Sequence, residues 1–246
     1  MPDISIVVPM RNEAPNVRPF LQELCEACPS DQYEIIVVDD GSADQTHDEL
    51  LACREFSSGL RILRHAVSAG QTAAIRSGVV SARGEIVCTI DGDGQNPPEE
   101  ICRLVASMRE HLGVRVGLIA GQRVGRKDTL GKRWASVAAN AIRRSVLGDG
   151  TRDTGCGLKC FRRDAFLALP YFDHMHRYLP ALFKRDGWEV CLIDVGHRER
   201  LAGRSNYSNL RRGLEGAVDL AGVSWLIMRG KNVESVESTP TAARDA

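Results

Sequence analysis

The sequence predicts an α/β fold with a mostly parallel sheet, helices on both of its faces and a more mixed second half. Short runs rich in Ile and Val recur along the first half of the 246-residue chain, which is typical of parallel strands buried on both faces. Segments with the helical spacing of apolar residues lie between these runs. The clearest strands end in polar clusters, as expected where parallel strands bring ligand-binding side chains to one edge of a sheet.

Strands and helices alternate along the first half. The predicted strands are residues 4–8 (ISIVV), 34–38 (EIIVV), 61–64 (RILR) and 86–90 (IVCTI). Ser42 and Gln45 form a plausible capping box for a helix over about 43–56. Asn96 is placed to cap another helix that begins at Pro97. Strands that alternate with helices imply right-handed crossovers and a parallel sheet.

The second half has a less regular pattern. Strands are predicted at 117–121, 155–161 and 188–195, and helices at 131–147 and 208–228. The polar tail over 232–246 is predicted to be disordered. We expect no signal peptide, because the first strand follows the start directly, and no membrane span, because the apolar runs are too short.

The net charge of zero conceals an uneven distribution. Residues 1–121 hold 10 basic and 18 acidic side chains, whereas residues 122–246 hold 22 basic and 14 acidic. Basic residues concentrate at 122–144 and 197–213, which form either a solvated face or a site for phosphates or anionic lipid. The eight cysteines lack zinc-like spacing and indicate a reduced, cytosolic protein.

Five carboxylates follow three of the predicted strands: Glu13, Asp39, Asp40, Asp91 and Asp93. Each by itself is more often a turn residue or a helix cap, but their repetition at one sheet edge predicts an acidic cleft. Oxygen ligands without histidine suit Mg²⁺ or Mn²⁺. Neither the glycine pattern of a dinucleotide-binding fold nor that of a P-loop is present, which argues against a dehydrogenase and a P-loop phosphotransferase.

Four motifs in this order, VVPMRNE, IIVVDDGS, AGQTAAIRSG and IDGDGQNPPE, resemble the family 2 inverting glycosyltransferases and, within them, the polyprenyl-phosphate sugar transferases. In the second half GQRVGRKD, DTGCGLKCF and RLAGRSN resemble the acceptor-side motifs of that branch. The resemblance covers about residues 3–228. It implies a GT-A fold with a catalytic domain over 1–231, made of a donor half (about 1–121) and an acceptor half (about 122–231).

The resemblance also implies an activity, a cofactor and a set of site residues. The activity is inverting, metal-assisted transfer of a sugar from a UDP- or GDP-linked donor to a polyprenyl phosphate, with Mg²⁺ or Mn²⁺ as cofactor. The implied nucleotide ligands are Pro9, Arg11, Glu13, Val37, Asp39, Asp40 and Asp91, and the implied metal ligands are Asp91, Asp93 and Gln95. The implied catalytic residues are Asp93, Arg123 and Asp153, and the implied ligands of the acceptor or phosphate are Arg123, Arg200, Arg204 and Ser205. Relatives often have Lys where this chain has Asn206, so Arg204 is a candidate for supplying that charge.

The resemblance further implies a cytoplasmic protein that associates peripherally with the inner face of the membrane, through the basic and amphipathic residues 208–229. A membrane partner or self-association is an alternative role for that apolar surface, and no nucleic acid partner is expected. Two other activities stay open. One is transfer to a sugar hydroxyl, which needs a general base, and the other is nucleotide-sugar binding without turnover.

Overall fold

The structure, a computed structural model, describes residues 3–29, 32–56, 58–111, 114–124, 143, 145–198, 209–231 and 233. Within these residues seven strands form one sheet: β1 (Ile4–Met10), β2 (Tyr33–Asp39), β3 (Leu60–Arg64), β4 (Ile86–Thr89), β5 (Val116–Arg123), β6 (Lys159–Arg162) and β7 (Glu189–Val195). Their order is β3-β2-β1-β4-β6-β5-β7. Only β6 runs antiparallel to its neighbours among these strands. The predicted mostly parallel sheet is confirmed.

The helices of the described chain are α1 (Ala14–Ala27), α2 (Thr46–Ala52), α3 (Gln71–Ser81), α4 (Glu99–Glu110), α5 (Arg163–Ala168), α6 (Leu179–Arg185) and α7 (Asn209–Arg229). Short 3₁₀ turns follow α2 at Cys53–Phe56 and precede α6 at Met175–Arg177. The helix over 71–81 was not delimited from the sequence, although its strand neighbours imply a crossover there. Of the predicted helix over 131–147, only residues 143 and 145–147 are described. Of the predicted disordered tail, only residue 233 is described.

Two predicted helix starts are wrong. Ser42 does not cap α2, because its hydroxyl accepts a hydrogen bond from the backbone N–H of Asn12 at 3.0 Å and so joins two loops. Asn96 does not cap α4, because the prolines behind it form a tight entry turn. In that turn the N–H of Glu100 donates to the carbonyl of Pro97 at 3.1 Å, a 3₁₀-type contact that delays the α-helix by two residues.

Alternate residues of the central strands face two apolar layers. Ile6 and Val8 on β1 contact the layer built by α1 and α4. Val7 contacts the opposite layer, which α3, α5 and α6 build and to which Val223 of α7 also belongs. Gly78 allows α3 to lie close to β1, because a Cβ there would be 2.3 Å from a methyl group of Val7. Helices therefore cover both faces, as predicted.

The register of the sheet brings the strand ends to one edge. Met10 at the end of β1 pairs with Asp39 at the end of β2, and Arg123 at the end of β5 pairs with Val195 at the end of β7. Because β6 is antiparallel, the turn that precedes it lies at the same edge. The two predicted halves thus contribute to one continuous sheet, and a boundary near residue 121 stays a prediction. No helix in the described ranges is both long and apolar enough to cross a membrane.

Candidate active site

An acidic cleft lies at the carboxyl edge of the parallel strands. Its volume is about 250 Å³, and six of the predicted site residues line it: Pro9, Arg11, Glu13, Asp40, Asp91 and Asp93. These residues come from three chain segments that are far apart in sequence, which are the end of β1 with the loop after it and the loops after β2 and β4. The sheet brings them together because parallel neighbours end at the same edge.

Contacts with Gln71 and Gly157 position the Asp91 carboxylate. The side-chain amide of Gln71, at the start of α3, donates to Asp91 Oδ1 at 2.7 Å. The backbone of Gly157 lies so close that a Cβ there would be 2.3 Å from the Asp91 carboxyl group. Gly157 is held in turn by the hydroxyl of Thr89, which donates to its carbonyl at 2.6 Å. Asp91 is therefore oriented by groups from α3 and from the turn before β6.

Asp93 lies two residues further on in the same loop. Its Oδ1 accepts a hydrogen bond from the backbone N–H of Gln95 at 3.1 Å, which closes a small turn. The side chain of Gln95, the predicted third metal ligand, does not line the cleft. Asp91 and Asp93 are thus the two predicted metal carboxylates that the cleft contains.

Asp39 and Asp40 are neighbours with different surroundings. Asp40 accepts hydrogen bonds from His65 Nδ1, Ser68 Oγ and the N–H groups of Ala69 and Gly70, all between 2.7 and 2.9 Å. Burial acts to raise the pKa of Asp40, but these donors outweigh it and lower the pKa below its ordinary value. Asp40 therefore ties the segment before α3 to the cleft. These four hydrogen bonds have a structural role, whether or not Asp40 also binds a ligand.

Asp39 is fully buried, and among the described residues only one of its oxygens has a hydrogen-bond donor. Oδ1 accepts from the N–H of Ser42 at 2.9 Å. Oδ2 accepts no hydrogen bond from the described residues, although Arg64 Nε lies 3.4 Å away and His47 Nδ1 3.5 Å away. Asp39 itself does not line the cleft. Val37, which was also expected near the nucleotide, lies in the apolar core and does not line the cleft.

Arg123 and Asp153 form a bidentate ion pair beside the cleft. Arg123 Nε and Nη2 donate to the two oxygens of Asp153 at 2.6 and 3.0 Å, and both side chains are 13% exposed. Burial acts to lower the pKa of Arg123, but Asp153, with smaller contributions from Cys156 and Asp91, raises it. Gln122 Oε1 accepts from the N–H of Asp153 at 3.0 Å. The pair is therefore a fixed, ionised unit close to Asp91.

Two polar groups near the cleft were not predicted from the sequence. Lys159 is buried on β6 and donates to the carbonyl of Cys156. His176 shares a hydrogen bond of 2.7 Å with Thr72, the residue after Gln71. Burial, with a smaller contribution from Lys159, lowers the pKa of His176 well below its ordinary value. A charged residue inside the otherwise apolar strand of the GLKCF segment was the signal that pointed to Lys159.

Within the described residues, no group of three or more His, Cys, Asp or Glu side chains is arranged to hold a metal ion by itself. Two carboxylates nevertheless fit a magnesium or manganese site, because these ions usually take one or two protein carboxylates and complete their shell with phosphate and water. The predicted phosphate ligands Arg200, Arg204 and Ser205 lie outside the described residues. Their roles stay predictions.

The mostly parallel sheet with this acidic edge has the GT-A type of fold. Residues 5–169 match the profile of Glycosyl transferase family 2. The chain therefore belongs to this family, which confirms the resemblance seen in the sequence.

The chain is also similar to curated family members with a named activity. It is 37% identical over 213 residues to the undecaprenyl-phosphate 4-deoxy-4-formamido-L-arabinose transferase of Pseudomonas paraeruginosa, which covers 85% of this chain and 61% of that protein. The protein of the same name from Photorhabdus laumondii is 32% identical over 212 residues, covering 85% of this chain and 64% of that protein. This chain thus spans about three fifths of the length of these relatives.

Solved structures share the fold at lower sequence identity. A mannosyltransferase from Pyrobaculum calidifontis, in complex with GDP-Man and Mn²⁺, has a TM-score of 0.68 at 21% identity, covering 94% of this chain and 66% of that one. Glucosyl-3-phosphoglycerate synthase from Mycobacterium tuberculosis, in complex with Mg²⁺ and UDP, has a TM-score of 0.67 at 21% identity, covering 95% and 81%. At this identity the likeness shows the fold alone.

Proposed function

We propose that this chain transfers a sugar from a nucleotide-diphosphate sugar to a polyprenyl phosphate at a membrane surface. The observation that carries the proposal is the position of Asp91 and Asp93 in one cleft beside the partly buried Arg123–Asp153 pair. Two carboxylates that can bind a divalent ion, Asp91 and Asp93, thereby lie close to Arg123, a cation that can bind phosphate. The names of the curated relatives, which are transferases to undecaprenyl phosphate, support the same acceptor.

The donor would occupy the cleft at the ends of β1, β2 and β4. Asp39, which the sequence resemblance assigns to the base or ribose, is fully buried and does not line the cleft, so that role stays a prediction. Asp91 and Asp93 would hold a magnesium or manganese ion, which neutralises the negative charge that develops on the leaving diphosphate. Solved structures of the same fold contain Mn²⁺ or Mg²⁺ together with a nucleotide or nucleotide sugar.

The geometry around Asp153 favours a phosphate acceptor over a hydroxyl. A hydroxyl needs a general base to remove its proton, but both oxygens of Asp153 already accept hydrogen bonds from Arg123. An acceptor phosphate is anionic and needs a cation to position it, which is a role for Arg123. One of its oxygens would attack C1 of the sugar while the bond from C1 to the donor diphosphate breaks. Attack from the opposite side inverts the configuration at C1.

Helix α7 supports docking of the chain on a lipid surface. Val218, Trp225 and Met228 lie on one side of α7 and are 66%, 58% and 72% exposed. The opposite side packs against the protein, where Val223 is buried. An exposed apolar stripe that includes Trp suits the interfacial region of a membrane. The side chains of Arg211 and Arg212, which were expected to contact anionic lipid, lie outside the described part of the chain.

A donor screen tests the proposal. The protein is incubated with undecaprenyl phosphate, Mn²⁺ or Mg²⁺ and a panel of UDP- and GDP-sugars, and glycolipid is sought by mass spectrometry, with Asp93→Asn as the matched control. We expect a glycolipid product from at least one donor with the wild type and none with the control. Transfer to soluble hydroxyl acceptors, with no glycolipid from any donor, would contradict the proposed acceptor.

A further inference from the structure

Lys159 is a buried cation at the carboxyl edge of the sheet. Lys159 is only 5% exposed, and its ammonium group donates a hydrogen bond to the carbonyl of Cys156. It begins β6 and pairs with Thr89 on β4, two residues before Asp91. A buried ammonium group is unfavourable unless a carboxylate lies close to it. The carboxylate that balances its charge therefore matters for the cleft.

Two carboxylates interact with the charge of Lys159. Burial lowers the pKa of Lys159 below its ordinary value, although Cys156, Asp91 and Asp153 act in the opposite direction. Asp153 is already engaged through both oxygens by Arg123. Of these two carboxylates, Asp91 has the larger effect on Lys159.

The backbone connects the same two groups. Cys156, whose carbonyl accepts the hydrogen bond from Lys159, directly precedes Gly157, whose backbone lies against the Asp91 carboxyl group. The N-terminal end of β6 thus brings a positive charge and a close backbone contact to the same carboxylate. A cation behind a metal carboxylate opposes binding of a second cation in front of it.

We propose that Lys159 is a positioning residue that makes binding of the divalent ion depend on the nucleotide diphosphate. This inference rests on the proposed function. With Lys159 in place, the carboxylates attract a free divalent ion only weakly. The diphosphate adds negative charge that outweighs Lys159, so the ion and the nucleotide bind together. Premature binding of the ion alone is thereby disfavoured.

Electron paramagnetic resonance of free Mn²⁺ measures this dependence without any turnover. Mn²⁺ is titrated into the protein alone and into the protein with UDP or GDP. The variants are Lys159→Met, which removes charge and donor, Lys159→Gln, which keeps a donor for the Cys156 carbonyl, and Lys159→Arg, which keeps the charge. Lys184→Met is the matched control, because Lys184 also donates to a backbone carbonyl, that of Asp149 at 3.0 Å, but does not line the cleft.

We expect both neutral variants to bind Mn²⁺ alone on the order of tenfold more tightly than the wild type. We expect the gain from added nucleotide to shrink by a similar factor, because the two ligands are coupled reciprocally. Lys159→Arg and Lys184→Met should resemble the wild type. Circular dichroism checks that each variant is folded, and replacement of a buried charge by an apolar side chain of similar volume is often tolerated.

Three outcomes would overturn the inference. If the neutral variants bind Mn²⁺ as the wild type does while nucleotide still strengthens binding, Lys159 has no such role and the proposed function stands. If Lys159→Arg behaves as Lys159→Met does, charge is not the property that matters. If the wild type binds no Mn²⁺ either with or without UDP and GDP, the proposed metal-assisted function fails and the inference fails with it.

Discussion

Replacement of Gly157 by Ala is the sharpest test of the arrangement around Asp91. The backbone of Gly157 does not have a positive φ, so Ala is compatible with its conformation and the only conflict is spatial. The new methyl group would lie 2.3 Å from the Asp91 carboxyl group, whereas ordinary van der Waals contacts begin at about 3.5 Å. The two groups must therefore move apart by roughly 1 Å.

The surrounding contacts decide which group moves. The Gly157 carbonyl, in the turn before β6, accepts a 2.6 Å hydrogen bond from Thr89, the last residue of β4, so the backbone is held firmly. Asp91 is at the cleft surface and its contact with Gln71 can be broken, so we expect the carboxylate to shift. A displacement of about 1 Å at a reacting centre can lower the rate by about 100-fold. Overpacking should also cost about 1–3 kcal/mol of unfolding free energy.

Three measurements separate these effects. Glycolipid formation should fall by about two orders of magnitude, and Mn²⁺ affinity in the presence of nucleotide should fall with it. Thermal unfolding should show only a moderate shift. Gly216→Ala on α7 is the control, because a Cβ there meets nothing within 4 Å. A Gly157→Ala variant with wild-type turnover and wild-type Mn²⁺ affinity would refute the assignment of Asp91 to the metal site.

Further predictions concern the metal, the phosphate, the pH dependence and the membrane. Asp93→Asn should abolish turnover without unfolding the protein, and EDTA should have the same effect on the wild type; full activity in EDTA would exclude the metal. Arg123→Ala should lower turnover tenfold or more, since a charge-assisted hydrogen bond is worth about 1.5–3 kcal/mol, and Arg123→Lys should recover only part of it; wild-type kinetics in both variants would contradict a phosphate contact. Because burial keeps the pKa of His176 well below its ordinary value, the unfolded chain gains a proton that the folded chain lacks once the pH falls below about 6.5. The stability that neutral His176 contributes is thus complete above that pH and lost below it, and urea unfolding should show a shallower pH dependence in His176→Gln. Replacement of Val218, Trp225 and Met228 by Ser should weaken cosedimentation with anionic liposomes, and unchanged sedimentation would place the docking surface elsewhere.

Much of the fold and part of the site could be predicted from the sequence because they depend on local patterns. Runs such as ISIVV and EIIVV mark buried parallel strands. The first run lies within β1 and the second within β2. Polar residues that directly follow such strands must meet at one sheet edge. Six predicted residues accordingly line one cleft. The four ordered motifs were sufficient to indicate the family, which the match over residues 5–169 confirms.

The tertiary structure alone decided what each carboxylate contacts. Asp39 and Asp40 are adjacent and chemically identical, yet four donors from residues 65–70 surround Asp40, while one oxygen of Asp39 has no hydrogen-bond donor in the described structure. The contacts of Asp91 with Gln71 and Gly157 join residues that are 20 and 66 positions away in the chain. Such contacts depend on how sheet, helix and turn pack together, and no local pattern specifies them. Lys159 shows the same limit, because its charge is visible in the sequence but its counter-charge is set by the pairing of β6 with β4.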